Sequence, residues 1–297
     1  MLLNGVIRAQ ALRRLSALLV CAMLLPALTP AHAQVNLAGG WGFRFHEDYS
    51  DRWPGPRAGD YMGLPINDAA RMAADSWNPA LITMPERQCI PHPSDYGTRS
   101  PANLVWWNEV DPGTQRIVAW KFRLSWMSPE RTIWMDGRPH PPANARHTRQ
   151  GFTTGKWEGD TLVTWTTHLK LGYVKRNGVP RSDRATFSEH WMRNGPYLTL
   201  ATVVYDPVYL TAPHISTETF VQDDTLQRLA RPCYPTIEVP REKGVVPTTM
   251  PWSNPDLREL ALETGLPLSV VRGGADMTYP EFIMTLSTLP GTPPAAR

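Results

Sequence analysis

Between residues 115 and 222 apolar and polar positions alternate in short runs broken by turn signals. In "QRIVAWKFRLSWM", Val118, Trp120, Phe122, Leu124 and Trp126 fall on one face, and Ile117, Lys121, Arg123 and Ser125 on the other. A period of two predicts a strand with one side buried. "RTIWM" reads as a second strand and is followed by the hairpin signal "DG", although the connection beyond it is longer than a hairpin needs. "DTLVTWTTHLK", "ATFSEHWMRN", "PYLTLATVVYDP" and "HISTETFVQ" continue the series, rich in the Trp, Thr and Val that strands favour.

Closely spaced antiparallel strands predict a mainly β fold, a lipocalin- or calycin-like β-barrel, with a β-sandwich as the alternative. "AGGWGFRF" and "TGKWEGDTLV" each read as a strand opened by a glycine turn and an inward Trp, as in the first strand of lipocalin-type barrels. The flanks differ in texture. Residues 34–114 are rich in Pro and Gly, with a first strand and one helix, "PINDAARMAADSW", in which Asp68 helps the cap and Ala69, Met72, Ala73 and Trp77 form the apolar stripe. Residues 223–297 form a Pro-rich extension with a helix at about 254–264. There Ser253 or Asn254 caps, Pro255 sits in the first turn and Gly265 closes.

The first 33 residues read as a secretory signal peptide. Arg8, Arg13 and Arg14 precede an apolar run, and Ala31 and Ala33 frame an A-x-A cleavage site. Pro26 and Pro30 break the run, so no transmembrane segment is expected after cleavage. Lipidation of Cys21 is the rival, but Val20 fits poorly before it. The expected location is periplasmic or secreted.

The whole chain has 30 Lys+Arg against 27 Asp+Glu, and removal of three signal arginines leaves 27 against 27. A neutral domain lacks the basic footprint of a nucleic-acid binder. Cys89 and Cys233 remain, either paired across the chain or as two free thiols.

"ERTIWMDGRPHPP", "HTRQGFTTGKWEGDTLV", "RNGVPRSD" and "DPVYLT" together resemble an uncharacterised family of secreted bacterial proteins, over roughly residues 84–222. The resemblance implies export and a barrel, and carries no activity. Relatives tend to read "PHSD" where this chain has Pro180, Arg181, Ser182 and Asp183, so no role for a histidine there transfers.

No G-x-S-x-G, H-E-x-x-H, P-loop, GxGxxG or C-x-x-C motif occurs, and no cofactor is expected. His140, His147, His168, His190 and His214 lack metal-ligand spacing, so no metal is expected either. Alternation puts Phe187, Glu189 and Trp191 on one face. If that face is interior, Glu189 is either an acid or base tuned by burial, or one half of a buried pair with Arg138, Arg181 or Arg184. If the opposite face is interior, His190 lines the cavity instead. His147 and Asp183 complete a candidate catalytic set with Glu189. Candidate binding residues are Asp136, Arg138 and His140 in a proline-stiffened loop, Trp157 and Glu158 in "GKWEGD", and Trp191.

Three functions fit this inventory. One is an enzyme using carboxylate–histidine acid–base chemistry on a small, partly apolar molecule, as a lyase, isomerase or non-serine hydrolase. Another is a carrier for a small lipophilic or aromatic ligand. The third is an envelope interaction module, for which a filled barrel and an exposed apolar patch are expected.

Overall fold

A computed structural model describes residues 35–44, 56–77, 85–99, 102–226, 233–237, 242–245, 249–251 and 253–286. The segment read as a signal peptide lies outside them. The described part contains β1 (Gly39–Phe43), β2 (Leu104–Val110), β3 (Ile117–Leu124), β4 (Glu130–Trp134), β5 (Phe152–Glu158) and β6 (Thr161–Thr167). It continues with β7 (Gly172–Lys175), β8 (Val179–Arg181), β9 (Thr186–Asn194), β10 (Tyr197–Tyr205) and β11 (His214–Gln222). Nine of these strands close a barrel in chain order, while β7 and β8 form a separate ribbon inserted between β6 and β9. The fold is mainly β and a closed barrel, as expected from the alternation, and not a sandwich.

An odd number of strands cannot alternate direction all the way round a closed ring, so at least one neighbouring pair must be parallel. That pair is β4–β5, joined through Ile133↔Thr153 and Trp134↔Thr154. A parallel step needs a long crossover, and residues 135–151 supply it. The "DG" signal therefore opens a crossover and not a hairpin, with Gly137 at φ 74.

Trp106, Trp120, Phe122 and Trp191 fill one stretch of the barrel. The ring centroids of Trp106 lie 4.6 Å from Phe122 and 4.8 Å from Trp191, at the spacing of favourable aromatic contacts. Farther along, the interior turns polar at Arg131, Thr153, Thr164, Thr166 and Glu189, all buried.

Several expectations shift. The barrel reaches back beyond residue 115 to β2, whose alternation is blurred by the adjacent Trp106 and Trp107. Trp126 leaves the apolar face of β3, because the chain turns at Met127 and Ser128 (φ 54 and 52) and exposes it. The Asp68–Asp75 helix is capped by Asn67, which accepts from the Ala70 amide, and not by Asp68. It buries Ala70, Ala74 and Asp75 in place of the predicted stripe, because Asp75 turns inward to accept from the Tyr61 hydroxyl (2.9 Å) and to pair with Arg272. "GKWE" closes β5 instead of opening a strand, and Gly159 (φ 58) turns the chain into β6.

The flanks pack on each other and on the ribbon. Tyr61, Leu64, Ile66, Ala70 and Ala74 share a core with Val174 of β7 and Val179 of β8. The C-terminal helix is built as read, with Asn254 accepting from the Asp256 amide, Pro255 at the start and Gly265 at φ 69. Cys89 and Cys233 form a disulfide with Cα atoms 5.8 Å apart. No described helix is long and apolar enough to cross a membrane.

Candidate functional site

Alternation along β9 does turn Phe187, Glu189 and Trp191 inward. Glu189, at 0% exposure, meets a guanidinium head-on: Arg131 donates through Nη1 to Oε1 (2.6 Å) and through Nη2 to Oε2 (2.7 Å). The Thr164 hydroxyl donates to Oε2 at 2.7 Å, and the Phe122 and Phe187 rings flank the Arg131 guanidinium at 5.6 and 5.0 Å. Charge, hydrogen bonds and ring faces are therefore all matched inside the barrel. This is the buried-pair reading of Glu189, with a different partner from the three arginines considered from sequence. Arg138 pairs with Asp136, Arg181 with Asp95, and Arg184 is exposed.

The proposed catalytic trio does not assemble. His147 sits in the crossover and hydrogen-bonds the Leu169 carbonyl through Nδ1 at 2.9 Å. Asp183 is exposed, and the turn beside it is held by Asp206, which accepts from the Ser182 amide and hydroxyl at 2.6 Å each. Arg181 lies buried nearby, bonded to Asp95 at 2.9 and 3.1 Å. Trp191 is core, and Trp157 points inward with its ring half-buried.

The remaining candidates converge on the outside of the barrel. Because Thr153 and Trp157 turn inward, Thr154, Lys156 and Glu158 turn outward. Register then aligns Thr154 with Trp165 and Ser188, and Lys156 with Val163 and His190. Together with Arg138 from the crossover, these residues line a groove of about 560 Å³ across β5, β6 and β9. Gly155 is required at its floor, since a Cβ there would stand 2.7 Å from Ile133 across the parallel seam.

Arg138 is aimed by two contacts. Its guanidinium lies 3.5 Å from the Trp134 ring centroid, and Nε donates to Asp136 at 2.9 Å. The same bond holds the Asp136 carboxyl below its ordinary range and raises Arg138. Glu158 pairs with Lys156 at 2.6 Å, and that hydrogen bond, with a smaller contribution from His190, lowers its pKa. Trp165 is 40% exposed and lies 5.9 Å from Tyr205, which gives the groove an aromatic wall. The site thus offers an apolar surface with charged groups at its rim.

His140 lies behind Thr154. Its Nε2 is 2.9 Å from the Thr154 hydroxyl and its Nδ1 is 2.7 Å from the Thr167 hydroxyl. Burial lowers its pKa, and repulsion from His168 adds to the effect. Among the described residues no group of His, Cys, Asp and Glu is arranged to hold a metal ion.

Sequence reasoning singled out Arg138, Glu158 and His140, and missed Thr154, Val163, Trp165 and Ser188. Alternation alone did not mark them as outward, since the apolar Val163 and Trp165 share a face in "DTLVTWTT" and the facing of Ser188 was open. Only the register of β5 with β6 and β9 brings them together, and single-strand patterns do not carry that register.

No family model matches the chain, and no curated protein does. Two crystal structures of the fluorescent protein UnaG, the wild type and a single-residue mutant, are similar to it at 6% and 7% identity. They cover 63% of this chain and 97% and 95% of their own, each with a TM-score of 0.29. Likeness at that level carries no argument, and the barrel rests on its own strand pairing.

Proposed function

We propose that the protein is an exported binding protein for a small, partly apolar aromatic molecule, held in the groove across β5, β6 and β9. The observation that carries this reading is the convergence of Arg138, Glu158 and His190 beside Trp165 in one concave surface of ligand size. The buried Trp106, Trp120, Phe122 and Trp191 occupy one stretch of the barrel interior, which weighs against a ligand site there. Acid–base catalysis loses its support with Glu189 buried and locked to Arg131 while Asp183 is exposed. Export is supported by the signal-like N-terminus and by the Cys89–Cys233 disulfide, a bond that persists in oxidising compartments.

Titration with anilinonaphthalene sulfonate, an aromatic anion, tests the groove. One-to-one binding is expected. Trp165→Ser and Arg138→Gln are each expected to weaken it about tenfold, the effect of roughly 1.4 kcal/mol. Stoichiometric binding that both variants leave unchanged would place the site elsewhere. Absence of saturable binding would remove the small-molecule reading and leave the exposed Trp165, Tyr205 and Ile215 as a protein-docking face.

A further inference from the structure

The hydrogen bonds behind the groove form a continuous chain. The Pro142 carbonyl stands 3.0 Å from His168 Nε2, and His168 Nδ1 is 2.7 Å from Thr167 Oγ1. Thr167 Oγ1 is in turn bonded to His140 Nδ1, and His140 Nε2 to Thr154 Oγ1. A carbonyl only accepts, so His168 Nε2 must carry a proton. In a neutral His168, Nδ1 is then bare and the Thr167 hydroxyl donates to it. Thr167 has one proton to give, so His140 must donate to it from Nδ1. His140 Nε2 is thereby bare, and the Thr154 hydroxyl donates to it. Every tautomer in the neutral chain is fixed by one backbone carbonyl.

Thr154 lines the groove. We propose that this relay sets the ligand chemistry of the groove: while it is neutral, Thr154 offers only lone pairs and selects a ligand that donates a hydrogen bond, and one added proton reverses the preference. The inference rests on the groove being the ligand site. A proton taken from solvent can stay on His140, which then donates from both nitrogens. It can equally pass on. In that case Thr154 takes the solvent proton and gives its own to His140 Nε2, His140 Nδ1 gives its proton to Thr167, and Thr167 gives its own to His168 Nδ1. In both outcomes His140 Nε2–H donates to Thr154, and the Thr154 hydroxyl is free to donate into the groove.

The surrounding charges are few. His168 bears on His140 directly, and the Phe152 ring packs on it at 5.1 Å. His147 stacks against His168 at 5.3 Å, with Nδ1 committed to the Leu169 carbonyl. Asp136 and Arg138 on the same loop are paired with each other, and Lys156, Glu158 and His190 stand on the groove side. Burial, with repulsion from His168, lowers the His140 pKa and so favours its neutral form.

Imidazole nitrogen NMR reads the relay without a ligand. Near pH 7.5, above the usual histidine range, His140 is expected as the Nδ1–H form and His168 as the Nε2–H form; by about pH 5 a proton is expected on His140 Nε2. Indole and benzofuran, matched in shape but differing in a ring N–H donor against a ring oxygen, read the groove. Indole is expected to bind about fivefold better near pH 7.5, the worth of one hydrogen bond, with the ratio falling to unity or below near pH 5. Using the ratio cancels any titration of His190 that both probes share. Thr154→Ser is expected to keep the pH-dependent ratio and Thr154→Val to lose it. If both probes bind with the same ratio at both pH values, or if His140 is the Nε2–H form near pH 7.5, the relay is overturned and the groove stands. Failure of both probes to bind overturns the groove reading, and this inference with it.

Discussion

Glu189 is closed off between Phe187 and Trp191, where an unmatched carboxylate would cost several kcal/mol. Arg131 matches it with two short bonds, and breaking such a pair leaves a buried charge alone. Glu189→Leu and Arg131→Met are each expected to cost about 3–5 kcal/mol in urea denaturation, and the double replacement of the same two residues less than the two combined. Additive losses would mean that the two side chains are independent. Alternation of β9 put Glu189 on one face with Phe187 and Trp191, but did not say whether that face or the one with His190 is interior. Its partner Arg131, which shares a face with Ile133 in "RTIW", was not among the three arginines considered, because the pairing of β4 with the rest of the barrel is not carried by one segment. His140 gives a pH signature at the same scale. Its folded-state pKa is depressed, so its contribution to stability is complete above about pH 6.5, the unfolded value, and is lost as pH falls toward the folded pKa. The melting temperature should fall on acidification through that window, and His140→Gln should flatten the slope. An unchanged slope would mean that the His140 ring is not desolvated.

Strand existence followed from sequence where apolar and polar residues alternate clearly, as β9, β10 and β11 illustrate, and not in β2, where adjacent tryptophans blur the pattern. Strand pairing did not. The β4–β5 seam arises from closing an odd number of strands, a property of the ring that no single segment encodes. It holds only two registered pairs, against nine between β9 and β10. Amide exchange in β4 is therefore expected to be faster than in β10, and equal protection would show that the crossover 135–151 supports the seam as firmly as a full ladder. Cysteine pairing was similarly open, because proximity across a sequence separation of 144 is a tertiary fact. Closing a loop of that length is worth up to about 5 kcal/mol in the chain-entropy model. Reduction should lower the urea midpoint, and an unchanged midpoint would mean that the flanks hold without the bridge.

At the scale of the whole molecule, the barrel is a scaffold and its outer face carries the candidate site. Aromatic residues that read as the lining of a cavity pack against one another, with Trp106 in contact with Trp120, Phe122 and Trp191, and Phe122 with Trp191. Their indole N–H groups find no acceptor among the described residues, so each would respond strongly to a ligand entering the barrel. Trp165, on the outside, belongs to the groove. Indole N–H spectra recorded during titration with anilinonaphthalene sulfonate therefore separate the two locations in one experiment. An outer binding site requires the Trp165 signal to shift while those of Trp106, Trp120 and Trp191 stay in place. Shifts of the three interior signals with Trp165 unmoved would contradict it and put the ligand inside the barrel.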